Sequence, residues 1–145
     1  RFDATLDPLL PQSFPTIEYR ITDATTPDST GMFWAMNYFF PGERDVLRPA
    51  VDSLSREHGT GPSHRGADAV ERIVPFRYTA HGITRVDRPP ILLDLAEDGA
   101  GRNWEGLARL DARGFLLATD RFPGTLLAFV PFPPDDGHTS AATGR

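Results

Sequence analysis

The chain has 145 residues, 39% of them hydrophobic and 24% charged, with a formal net charge of −5. Those figures describe one ordinary globular domain and exclude a disordered chain or a basic nucleic-acid-binding surface. All 15 basic residues are Arg and Cys is absent, which removes lysine Schiff-base chemistry, disulfides, thiolate nucleophiles and Cys-ligated zinc.

No apolar run approaches the roughly 18 residues that a membrane-spanning helix needs. Fourteen Pro and 13 Gly, with ten Phe, point to many short strands joined by turns. In chain order, a short strand before residue 24 runs into the turn "PDSTG", where Asp28 caps the local backbone and Gly31 takes positive φ. The apolar strand "MFWAMNYFF" follows and ends at Pro41-Gly42. Residues 42 to 68, rich in polar and turn-forming residues without alternation, read as a long inserted loop. A third strand, "AVERIVPFRY", then turns near His81-Gly82 into a fourth, "HGITRVD". Residues 103 to 132 predict three more strands, "NWEGLARL", "GFLLATDRF" and "TLLAFVPF", before the polar tail.

The chain repeats itself. A shift of 83 residues carries Gly31 onto Gly114, Asp28 onto Asp111, Ala35 onto Ala118, Asn37 onto Asp120 and Phe39 onto Phe122. Asp23 lies one residue out of register with Glu105, and "VPF" at 74–76 recurs at 130–132. Repeated antiparallel units of about 40 to 50 residues predict blades of a β-propeller, with a small β-sandwich as the competing all-β fold. The expected architecture is an all-β propeller fragment of about two four-stranded antiparallel blades. Blade one covers about 18–88 with its insertion at 42–68. Blade two covers about 91–132 and lacks its fourth strand, and a tail occupies 133–145. Two blades do not close a ring, so the whole of 1–145 reads as the C-terminal part of one propeller domain. The remaining blades would come from the same polypeptide or from a completing protomer, a reading that also suits Arg1 as first residue.

The run Trp104-Glu105-Gly106, Gly114, Thr119-Asp120 and Leu126 to Phe132 resembles the C-terminal blades of phytase-like (esterase-like) bacterial propellers. Arg121 stands where that family usually has Asn. The Glu-Gly start also resembles the metal-dependent lactonase propellers, and the resemblance implies a metal-ligand role for Glu105. It further implies a periplasmic or secreted protein.

The carboxylates carry whatever chemistry is legible. Glu105 in the first strand and Asp120 at the end of the antiparallel second should be near neighbours. By the repeat, Asp23 and Asn37 form the equivalent pair, so four oxygen-bearing side chains are expected on one rim. Crowded carboxylates repel, and a hard divalent cation, Ca²⁺ first, would relieve them. Glu105 and Asp120 are the catalytic candidates, as ligand, base or assisting acid. The bland alternative makes the same acids hydrogen-bonded ties between neighbouring strands, with Arg20 and Arg121 as partners. Arg56 and His58, in the insertion with His64, are candidate contacts for a small-molecule substrate, against an ordinary solvated loop. Two functions stay open: a metal-assisted hydrolase of an ester, lactone or phosphoester, or a non-catalytic propeller that binds a ligand or partner protein.

Overall fold

A computed structural model describes residues 5–120 and 124–133. Within them the fold is all-β, two antiparallel sheets with two short helices. The first sheet runs β1 (Arg20–Ala24), β2 (Met32–Phe39), β3 (Val70–Thr79) and β4 (Gly82–Arg85), and β5 (Ile91–Leu92) also pairs with β3. The second runs β6 (Trp104–Leu110), β7 (Gly114–Thr119) and β8 (Leu127–Pro131). No helix among the described residues is long and apolar enough to cross a membrane.

The repeat is visible in the backbone. Gly31 and Gly114 both hold positive φ, 79° and 150°. A Cβ on either would collide with a carbonyl of the third strand of its own sheet, Tyr78 in one and Val130 in the other. Each first strand also skips register once against its neighbour, between Ile21 and Asp23 in β1 and between Trp104 and Gly106 in β6. The extra residues of these two bulges, Thr22 and Glu105, are again 83 apart.

Two expectations change. Ile91 and Leu92, assigned to the second unit, pair with Ile73 and Arg72 in the first sheet, and the second sheet begins at Trp104. The insertion is not a plain loop: it forms α1 (Arg44–Leu47) and α2 (Ser53–His58). Asp52 caps α2 by accepting hydrogen bonds from the N–H groups of Leu54 and Ser55, and Gly59 ends it with φ 79°. A six-residue helix anchored by one apolar side chain, Leu54, leaves no periodicity to read.

The sheets stack through unlike faces. Thr25 N–H donates to Trp34 O (2.8 Å), so the backbone groups of Trp34 point toward the first strand of its sheet. Thr119 N–H donates to Leu126 O (3.0 Å), so those of Thr119, and by alternation of Leu117 and Phe115, point toward the third strand. For L-residues this direction fixes which face the side chain occupies, and the two cases are opposite. Trp34, Met36 and Ile73 from one sheet nonetheless meet Trp104, Leu107, Phe115 and Leu117 from the other in one core. Trp34 meets Phe115 edge to face at 5.3 Å between centroids, and Phe132 closes on both rings. Each such aromatic pair adds about 0.5–1.5 kcal/mol beyond its buried area.

The far face of the first sheet is also covered. Phe33, Ala35, Val74 and Phe76 pack beneath Leu54 of α2 and Ile17, and the Phe14 ring lies 4.9 Å from that of Phe76. No described element covers the far face of the second sheet. Ala108, Leu116, Ala118, Leu127 and Phe129 share it by register, and Leu127 and Phe129 are 69% and 52% exposed.

Candidate functional site

The expected site lies where β1 and β6 begin side by side. Thr22 Oγ1 donates to Trp104 O (2.9 Å), and Asp23 Oδ2 accepts from Leu107 N–H (2.7 Å) while its Oδ1 accepts from Ala24 N–H (2.8 Å). Asp23 therefore lies against β6, bonded two residues along the strand from Glu105. Asp23 acts as a stitch: the open edge of β6 would otherwise present an unpaired N–H between the sheets.

The bulge at Glu105 alters the expected alternation. Simple period two puts Asn103, Glu105 and Leu107 on one face and Trp104 on the other. The extra residue instead puts Trp104 and Leu107 together in the core and leaves Glu105 exposed. Asp120 is exposed just beyond β7. Its neighbour Thr119 makes the local tie, accepting from Leu126 N–H through Oγ1 (2.9 Å).

Asn37 does not share that rim. It is fully buried on the face of the first sheet turned away from the second. Its Nδ2 donates to Glu18 O and Arg20 O, and its Oδ1 accepts from Arg72 Nε (2.7 Å). Arg72, 1% exposed, forks onto Asp52 with Nη1 to Oδ2 at 2.8 Å and Nη2 to Oδ1 at 3.0 Å. Burial pulls the Asp52 pKa upward, but the hydrogen bonds from Arg72 and Ser55 outweigh it and leave the carboxyl below its ordinary range. This buried Asn37–Arg72–Asp52 network fastens α2 to the sheet, and sequence reasoning missed Arg72 and Asp52 altogether.

Arg56 and His58 lie at the end of α2, on the side of the first sheet away from the rim, so they do not join Glu105. Their neighbour Glu57 pairs with Arg85 of β4 at 2.5 Å. His64 is buried rather than solvated, accepting from Glu71 N–H through Nε2 (3.2 Å). Burial and then the charge of Arg72 lower its pKa from the ordinary imidazole value. Arg20 pairs with Glu43 (2.8 Å), and Arg121 lies outside the described residues. Asp28 caps its turn as expected, through Thr30 N–H at 2.9 Å, and also binds Arg109 of β6 at 2.8 Å. That partner, with Thr30, depresses its pKa far below the carboxylate range.

Glu71 is the notable group that the sequence did not single out. It is fully buried, and Oε1 accepts from Asn103 N–H (2.9 Å) and Arg102 N–H, holding the segment that leads into β6. Its Oε2 and the Trp104 Nε1 are buried without a partner at ordinary hydrogen-bond geometry among the described residues, although the indole N–H lies close enough to favour the carboxylate. Burial raises the Glu71 pKa above 4.5 against the pull of those two N–H groups. Tyr38 lies nearby: burial first and the Glu71 charge second push its phenol upward, Arg20 pulls it back, and Glu43 and Glu105 add to the rise. The signal was adjacent charges inside "AVERIVPF": neighbours in a strand face opposite sides, so Glu71 and Arg72 each needed its own buried partner.

Among the described residues no group of three or more His, Asp or Glu side chains is placed to hold a metal ion. No protein-family model, curated protein or solved structure matches this chain.

Proposed function

We propose that the chain is a non-catalytic binding module built as part of a propeller-like stack of sheets, with its rim acids serving as ties. One observation carries the reading: Asp23 and Asn37, half of the expected rim set, are committed to Leu107, Ala24, Glu18, Arg20 and Arg72. Head-to-tail packing of unlike faces supports the propeller-like build, since it lets the same step be repeated. The bare apolar face of the second sheet supports binding, because a contiguous exposed apolar surface marks an interaction site. A calcium titration followed by thermal melting tests it. The ties-only reading expects an unchanged Tm, since a cation without a site stabilises nothing.

A second reading, a metal-assisted hydrolase acting on an ester, lactone or phosphoester, draws on the electrostatics around Tyr38. Glu71, Glu43 and Glu105 all raise the pKa of that phenol while Arg20 lowers it, so three acids lie within electrostatic reach of Tyr38. In that reading Glu105 is the ligand or base, and Asp120 assists. A Tm that climbs with calcium and loses the climb in Glu105→Gln would establish it in place of the first.

A further inference from the structure

In the first sheet β4 adds to the outer edge of β3, and among the described residues the second sheet has no equivalent strand beyond β8. In β3, Pro75 has no N–H to give, yet its carbonyl accepts from Val86 N–H (3.1 Å), immediately beyond β4. Tyr78 N–H donates to Gly31 O (2.8 Å), so Tyr78, Phe76 and Val74 direct their backbone groups to β2, and Pro75 and Arg77 direct theirs to β4. The same Val-Pro-Phe lies in the second sheet, shifted by 56 residues. There Phe132 N–H donates to Arg113 O (3.2 Å) and Thr119 N–H to Leu126 O (3.0 Å). By alternation Leu127, Phe129 and Pro131 direct their backbone groups away from β7. Proline sits in both copies where its missing N–H costs no bond to the central strand.

We infer that the outer edge of β8 is an acceptor site for one extended strand of another polypeptide, added antiparallel as β4 is added to β3. With no described strand beyond it, the edge offers the N–H and C=O of Leu127 and Phe129 and the C=O of Pro131, spaced two residues apart. Register fixes the partner's chemistry. Residues opposite Leu127 and Phe129 emerge on the bare face beside those side chains, so the strand needs large apolar residues at two alternate positions. The residue opposite Pro131 must keep its N–H, as Val86 does opposite Pro75. Residues 134–145 contain no side chain of that kind, so they do not supply those two apolar positions. This names the partner class for the binding reading, and it fails separately from it, because it concerns the backbone edge rather than the rim acids.

The test uses the full chain, ¹⁵N-labelled, and a synthetic seven-residue peptide of alternating Thr and Val as probe. The expected result is saturable binding that shifts the Leu127 and Phe129 amides and slows their exchange at least tenfold. The Ala128 and Val130 amides, already bonded to β7, should change little. A peptide with its central Val replaced by Pro should not bind. Absence of saturable binding overturns the inference, and so does binding of equal strength by the Pro peptide. Leu127 and Phe129 amides already protected in the full chain, and released on removing residues 134–145, would overturn it by assigning the edge to the chain's own tail.

Discussion

Among the described residues the first sheet is covered on both faces and the second on one. On the first, Trp34 and Met36 meet the second sheet, while Phe33, Val74 and Phe76 lie under Leu54 and Ile17. On the second, Phe115 and Leu117 are buried while Leu127 and Phe129 stand in solvent. The same repeat therefore produced two different energetic situations. What separates them is the insertion, whose α2 cap is held by the buried Arg72–Asp52 ion pair, with no counterpart among the described residues of the second unit. The lesson is that a repeat fixes strands and turns, whereas the elements between repeats decide which faces remain available to partners.

The largest expected effect strikes the covered side. Asp52→Ala leaves the Arg72 guanidinium buried without its carboxylate and should cost about 3–5 kcal/mol in denaturant unfolding. The double change Arg72→Met with Asp52→Leu should recover much of that loss, because it removes both charges. Phe76→Ala, in the same covered layer, should cost about 3–5 kcal/mol through the cavity it leaves. Phe129→Ser on the bare face should change stability by no more than about 0.5 kcal/mol. Equal losses at Phe76 and Phe129 would erase the distinction between the sheets.

Between those extremes lies the stitch joining the sheets. Asp23→Ala strands the Leu107 N–H and should cost about 1–3 kcal/mol, measured by chemical denaturation. Asp23→Asn keeps an acceptor oxygen and should cost less. If the alanine variant is as stable as the parent, Asp23 is free for other work and the hydrolase reading gains. Asp52 also supplies a pH dependence. Its folded pKa lies below the unfolded value, so its contribution is present above the unfolded pKa and disappears as pH falls through the folded one. Glu71 has the opposite sign: its raised pKa favours the fold at low pH and the benefit disappears as pH rises through the folded value. Stability of the parent minus that of Asp52→Ala should therefore shrink on acidification, and a constant difference would contradict the ion pair.

Much of the fold was legible because strands and glycine turns announce themselves locally. The strands within 103–132, the Asp28 turn and the paired glycines at 31 and 114 follow from alternation and backbone sterics alone. The site was less legible because it depends on a single extra residue. The bulge at Glu105 inverts every face assignment after it, which moved Leu107 into the core and Glu105 out of it. Asn37 matched Asp120 by position, yet Arg72, 35 residues away, decided its role. Glu71 and Arg72 are long-range ties whose partners lie in a capping helix and in the segment before β6. The adjacent charges show locally that each needs a partner, but no local pattern says which residue supplies it.

The asymmetry of the two sheets is tested most directly by methyl NMR with a soluble paramagnetic probe added to the full chain. The Leu116 and Leu127 methyls should broaden strongly at probe concentrations that leave Leu54, Val74 and Leu117 unaffected. Leu127 methyls as well shielded as those of Val74 would mean that the second sheet is already covered, and the account of an open face would be wrong.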